Sequence, residues 1–261
     1  MSQNILEINN LSKYFGGLAA VSECSLKVKK GTITGIIGPN GSGKTTLFNL
    51  IAGNLKSSAG SVIFNNENIT DVPSYELFSK GLLRTFQIAH EFTNLSVLEN
   101  LMMVPGNQSG EKLVNTLLKP SLVAKEESQI KEKAMEVINF LNLSHLRNEL
   151  AGNLSGGQKK LLELGRTMMV DAKLVLLDEV GAGVNRTLLK DLGTAIEKLN
   201  KEKGYTFCMI EHDMDFIGRL CDPVIVMAEG SVLFEGSVED AKKDEKVIES
   251  YLGRGSKLKD N

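Results

Sequence analysis

The sequence predicts an α/β protein: a mostly parallel sheet covered by helices on both faces, with an N-terminal antiparallel β part and an inserted helical subdomain. Three observations carry that expectation. Strand-like apolar runs alternate with helical-period segments after residue 173, the rhythm of strands joined by crossover helices. The first 30 residues are β-rich. From about 96 to 165 the periodicity is helical.

Taken in order, Ile5, Leu6 and Ile8, then Ala20 to Val28, form short apolar or alternating runs punctuated by Gly16-Gly17 and Lys29-Lys30-Gly31. Thr32 to Ile37 is a compact buried-strand candidate, followed at once by glycines. Residues 45–52 have helical spacing, and Gly60 to Phe64 is a strand with Asn65-Asn66 as a hairpin-like turn. Ser96 with Glu99 three residues later fits a capping box. Ile130, Ala134, Val137, Ile138 and Leu141 lie on one helical face, with Lys and Glu opposite. Residues 104–125, with Pro105, Gly106, Gly110 and Pro120, suggest a loop or insertion. Strands are then expected at Lys173–Leu177, Thr206–Ile210 and Val224–Met227, with helices over 186–202 and 213–220. A hairpin around Glu229-Gly230 and terminal helices follow, and the final GRGSKLKDN reads as frayed.

Composition narrows the class without naming a chemistry. Lys plus Arg is 30 and Asp plus Glu is 32, a formal charge of -2, which provides no general field for nucleic acid or an anionic membrane. Mean hydropathy is -0.06, and no apolar run approaches the ~18 residues of a membrane span. The start, MSQNILEINN, lacks the basic and apolar regions of a secretory signal. Cys24, Cys208 and Cys221 are odd in number and widely spaced, so they read as reduced, half-buried thiols rather than a disulfide or metal framework.

The strongest local signal is Gly38-Pro39-Asn40-Gly41-Ser42-Gly43-Lys44-Thr45, a match to G-x-x-x-x-G-K-[ST] between a strand and a helix, with Thr46 next. Glycines let backbone N–H groups turn inward around phosphate oxygens, and the helix that begins here points its positive end at them. Lys44 is expected to reach the β- and γ-phosphates of a nucleotide, and Thr45 to ligate Mg²⁺. The apolar run Leu174 to Leu177 delivers Asp178 to a strand end, where it could hold Mg²⁺, and Glu179 follows as a candidate for polarising the attacking water. His90 and His145 have no such context and read as surface or packing residues.

Ser155 is a good N-cap for a helix over 157–169, and Gly156 and Gly157 permit close backbone approach beside Gln158. Leu154-Ser155-Gly156-Gly157-Gln158 resembles the signature motif of the ATP-binding-cassette ATPases. That resemblance covers about 1–252 and implies a P-loop NTPase, RecA-like core at 1–86 and 166–261 with a helical signature subdomain at 87–165. It also implies roles. Gln87, in Arg84-Thr85-Phe86-Gln87, resembles the glutamine that touches Mg²⁺ and the attacking water. His212, in Ile210-Glu211-His212-Asp213, resembles the switch histidine at the γ-phosphate. Phe15 is similar to the aromatic that stacks on adenine, with Tyr14 as the runner-up. Two positions depart from the pattern: Val180 stands where many cassettes have Pro, and Asn185 where many have Asp.

In this family the phosphate loop and the signature motif serve different ATP molecules. The resemblance therefore implies a homodimer, or a heterodimer with a second cassette, in which Ser155 of one subunit closes over the γ-phosphate held by Lys44 of the other. It implies two permease subunits, a solute-binding protein, and a place on the cytoplasmic face of the membrane; no nucleic-acid partner is expected. RTFQIAHEFTNLSVLENLMM, EHDMDFIGRLCDPVIVMAEG and VIESYLG resemble the ATPases of branched-chain amino acid uptake. Urea or amide uptake, lipopolysaccharide export and soluble non-transport cassettes are the alternatives. The segment after Gln87, with Phe92, Leu95 and Val97, is the expected permease-docking groove.

Overall fold

The computed structural model describes residues 3–85, 91–106 and 108–256. Two long strands, β1 (Asn4–Phe15) and β2 (Leu18–Lys29), form an antiparallel hairpin that turns at Gly16-Gly17. A short fully buried strand, β3 (Ile33–Ile37), leads through the glycine-rich loop into α1 (Lys44–Ile51). Next come β4 (Ala59–Phe64) and β5 (Glu67–Asn68), whose turn uses Asn65 and Asn66 at φ 48° and 66°. Both are left-handed, as a tight hairpin turn matching the strand twist requires. The helix α2 (Ser74–Lys80) and the three-residue strand β6 (Leu82–Arg84) had no counterpart in the sequence reading; both are too short to show a period.

The middle of the chain holds α3 (Val97–Met102), α4 (Leu113–Leu118), α5 (Pro120–Phe140) and α6 (Gly156–Met168). Beyond it the alternation resumes with β7 (Leu174–Asp178), α7 (Arg186–Lys203), β8 (Thr206–Ile210), α8 (Met214–Leu220) and β9 (Val224–Ala228). The described chain ends with β10 (Ser231–Gly236), α9 (Val238–Ala241) and α10 (Glu245–Ser256). The stretch expected to fray is therefore helical as far as Ser256.

The chain groups into two compact units. The first comprises 1–87, 173–182 and 196–261. It contains two sheets, an antiparallel one in the order β2-β1-β4-β5 and a six-stranded one in the order β10-β9-β3-β8-β7-β6. In the larger sheet β9, β3, β8, β7 and β6 are parallel, and β10 is an antiparallel edge. A single apolar cluster joins both sheets through α1: Leu47, Phe48 and Ile51 are buried with Leu6 and Ile8 of β1, Ile36 of β3 and Leu176 of β7. The three cysteines are free and buried, not half-buried as expected, because each lies on or beside a strand packed in the core; burial pushes their thiols up, Cys24 to about 11. At neutral pH they are protonated and behave as small apolar side chains.

The second unit comprises 88–172 and 183–195. The sequence boundary at 165/166 falls inside α6, whereas the contacts keep α6 whole and add the start of α7. Packing supplies the reason. A Cβ at Gly157 of α6 would lie 2.5 Å from Cδ1 of Leu188 on α7, so the glycine lets the two helices touch. Gly165 does the same one face over, toward Leu141, Val137 and Leu101. The capping box at Ser96 and Glu99 is present, and Ala134, Val137 and Ile138 are the buried face of α5. The insertion at 104–125 is less loop-like than expected, since it contains α4 and opens α5 at Pro120, which suits a first helical position. Its Leu113, Val114, Leu117 and Leu118 are exposed, so no apolar periodicity against the core announces it.

Candidate active site

Parallel strands present their carboxyl ends along one edge, and the candidate residues collect there because three of those ends are in register. Ile36 of β3 and Asp178 of β7 are both paired with Ile210 of the intervening β8. Gly38 follows β3 by one residue, Glu179 follows β7, and Glu211-His212 follow β8.

The loop from Gly38 to Gly43 is built for backbone approach. Gly38 and Gly43 have φ of 148° and 98°, and a Cβ on either would collide with a backbone carbonyl, that of Met227 or of Ala20. No other residue fits at these two points. Lys44 is buried, and its ammonium donates to the carbonyls of Gly38 at 2.8 Å and Pro39 at 3.0 Å, and to Ser42 Oγ at 3.4 Å. Burial pulls the Lys44 pKa down, opposed by the nearby charges of Glu179 and Asp178. Thr45 is exposed at the start of α1 and Thr46 half-buried behind it.

Asp178 is buried at the end of β7. Glu179 comes next with φ 48°, a left-handed conformation that costs a non-glycine residue on the order of 1 kcal/mol. The surrounding turn holds it there. The Glu179 N–H donates to the Ile210 carbonyl at 2.9 Å, and the Ala182 N–H returns to the Glu179 carbonyl at 3.1 Å. Glu179 Oε1 lies 3.0 Å from His212 Nε2, so the two side chains that the sequence nominates for chemistry touch. Both remain partly open to solvent.

Ser155 caps α6. Its N–H donates to Gln158 Oε1 at 2.9 Å, and its hydroxyl accepts from the Gln158 N–H at 3.4 Å. This capping box leaves the first turn of α6 exposed at Ser155 and Gly156, while Gly157 is buried against α7. The two glycines thus have different tasks: Gly156 keeps the surface low and Gly157 permits helix packing.

The ABC transporter family model matches residues 21–182. The chain belongs to the ABC transporter family. It is 44% identical, over 95% of both chains, to the probable branched-chain amino acid transport ATP-binding protein LivG of Archaeoglobus fulgidus. It is 33% identical to the high-affinity branched-chain amino acid transport ATP-binding protein LivG of Escherichia coli, over 97% of this chain and 99% of that one. Among solved structures, the ADP conformation of an ATP-binding cassette of an ABC transporter superimposes with a TM-score of 0.83 at 41% identity, covering 97% of this chain and 100% of that one. The chain is therefore an ATPase cassette, and its fold is the P-loop NTPase fold.

Within the cassette, the remaining nominated residues fall as follows. Phe15 sits at the tip of the β1–β2 hairpin, half exposed, with Lys13 Nζ 5.3 Å from its ring centroid. Tyr14 is exposed to the same degree, so both rings are open to a stacking partner. Gln87 and His90 lie outside the described residues. Asn185 uses Oδ1 to accept the Leu188 N–H at 2.9 Å, capping α7 as Asp would. Val180 is buried. In the expected docking segment Phe92 is exposed and Leu95 half-buried, but Val97 is fully buried in the helical core and presents no surface. Asn100, also buried, fixes that segment with donations to the carbonyls of Phe92, Leu95 and Ser96.

Two residues escaped the sequence reading. Glu211 is buried, and its carboxylate accepts the Gly181 N–H at 2.6 Å and the His212 N–H at 3.2 Å, tying the turn after Glu179 to the strand end before His212. Burial raises its pKa, and those two N–H donors oppose the rise. Arg84, at the end of β6, ion-pairs with Asp178 at 2.7 Å. The one available signal was a charged residue closing each apolar strand, which periodicity alone does not interpret.

Proposed function

We propose that the chain is the ATP-hydrolysing subunit of an importer for branched-chain amino acids, acting at the cytoplasmic face of a membrane with two permease subunits and a solute-binding protein. The observation that carries this reading is identity of 33 to 44% over nearly the full length of relatives whose names all specify branched-chain amino acid transport. No helix among the described residues is long and apolar enough to cross a membrane, so the permeation path would belong to other chains. The test is reconstitution with the permeases in proteoliposomes. ATP hydrolysis should rise with a leucine-loaded binding protein and not with a urea-loaded one; the reverse pattern would assign the subunit to amide uptake.

The strand-end geometry supports the roles we assign. The N–H groups around Gly38 to Gly43 and the ammonium of Lys44 would hold the phosphates, whose oxygens can replace the carbonyls that Lys44 now contacts. Hard oxygen donors suit Mg²⁺, and Thr45 and Asp178 supply a hydroxyl and a carboxylate. Such a cation, when bound, neutralises charge on the β- and γ-phosphates. Glu179 would orient and polarise the attacking water, and His212, at 3.0 Å, would fix that carboxylate and reach the γ-phosphate. Gln87 would link this site to the docking segment.

Closure would be a two-chain event, with Ser155 and Gly156 at the exposed start of α6 meeting the γ-phosphate of a facing subunit. Motion at Gln87 would then pass to the segment that carries Phe92. The Phe92 ring is 47% exposed, with the Arg166 guanidinium 5.6 Å from its centroid, an apolar face rimmed by charge. Phe92→Asp should leave hydrolysis by the isolated subunit within about twofold, since surface changes away from a site are nearly neutral. It should also weaken assembly with the permeases and abolish uptake, measured by co-purification and by leucine transport. Normal uptake at normal protein level would move the docking site elsewhere.

A further inference from the structure

Arg84 occupies an unusual position for a cation. Its side chain is 10% exposed and ends at the carboxyl edge of the parallel sheet, where β6 pairs with β7. One arm of the guanidinium, Nη2, donates to Asp178 Oδ2 at 2.7 Å, and the Asp178 side chain is itself only 4% exposed. The other arm, Nη1, donates to Asn49 Oδ1 at 2.6 Å on α1, the helix that begins at Lys44. Its Nε is buried with no hydrogen-bond partner among the described residues. The fork is thus committed to two acceptors on two elements of the nucleotide site, and it leaves a buried donor unmet to do so.

A buried carboxylate without a counter-charge is strongly destabilising, while a dication needs that carboxylate when nucleotide arrives. We propose that Arg84 is a resident counter-ion for Asp178, a positioning residue that keeps the carboxylate aimed along β7 and that weakens the hold of Asp178 on a divalent cation. This rests on the assignment of Asp178 as a metal ligand. Lys44, also buried, is aimed at the loop carbonyls, so it does not make the contact that Arg84 makes.

The test uses the full chain and Mn²⁺ with ADP, read by electron paramagnetic resonance and by thermal melting, with no need for turnover. Arg84→Gln should tighten Mn²⁺ binding to the ADP-loaded protein by about tenfold, because a unit positive charge near the metal is gone. In EDTA the same variant should melt roughly 6–20 °C below the wild type, the loss expected for a broken buried pair. Combining Arg84→Gln with Asp178→Asn should recover most of that loss, since neither charge is then stranded. Arg84→Lys keeps the charge but not the fork, and should hold Mn²⁺ affinity within about twofold of wild type while melting lower. If Arg84→Gln leaves Mn²⁺ affinity unchanged while Asp178→Asn lowers it, the counter-ion role is overturned and the metal assignment stands. If Asp178→Asn leaves Mn²⁺ affinity unchanged, the metal assignment fails and the inference fails with it.

Discussion

Glu179→Gln should bind ATP within a few-fold of the wild type and lose about 10²–10⁴-fold in turnover, the contribution of a positioned general base. Binding should survive because we assign the phosphate contacts to the loop and Lys44, whose ammonium already lies against that loop, and not to Glu179. The fold survives for a similar reason. Position 179 sits at φ 48°, and Gln occupies that conformation no worse than Glu; the turn is held by the backbone and by Glu211. A glutamine amide also still reaches His212 at the present 3.0 Å. What disappears is basicity. Lys44→Ala should show the opposite pattern, with nucleotide affinity falling by tens of fold or more, since a charge-assisted hydrogen bond is worth about 1.5–3 kcal/mol. Phosphate release and equilibrium binding of a fluorescent nucleotide separate the two effects, and wild-type turnover by Glu179→Gln would mean that another group activates the water.

The second large effect concerns pairing. Glu179→Gln, trapped with ATP, should double its mass in light scattering and return to a monomer when nucleotide is removed. Adding Ser155→Arg should abolish that doubling by setting bulk and charge where a facing γ-phosphate would lie. Ser155→Ala is the control. It loses the same cap, bonded to Gln158 at 3.4 Å, and so bears the same helix penalty of ~1 kcal/mol without the obstruction. If Ser155→Ala pairs and Ser155→Arg does not, obstruction is the cause. An unchanged mass in every condition would refute the shared site.

Much of the architecture was legible because its physics is local. The strands β3, β7 and β8 are buried on both faces, which writes itself into the chain as short, mostly apolar runs. The phosphate loop is legible because glycine is the sole residue that fits where a Cβ would strike a carbonyl, as at Gly38 and Gly43. The capping boxes at Ser96 and Ser155 are legible because they span three residues. Short or exposed elements were not: β6 has three residues, and α4 exposes its leucines, so neither bears a periodic imprint.

By itself the sequence determined the order of the long and buried strands and helices, the phosphate-loop backbone, the helix caps and the residue types available for chemistry. The tertiary structure decided which of those residues meet. Asp178 and Ile36 share a partner in Ile210, 32 residues beyond the one and far beyond the other, and only strand register puts them level. Register also places Glu211 against Gly181 and Arg84 against Asp178, contacts 30 and 94 residues apart along the chain. Helix packing in the second unit removes Val97 from the surface and gives Gly156 and Gly157 separate tasks. A motif records what a few neighbouring backbone groups require; a pairing across a sheet is the outcome of packing the whole apolar cluster, and no single stretch of sequence contains it.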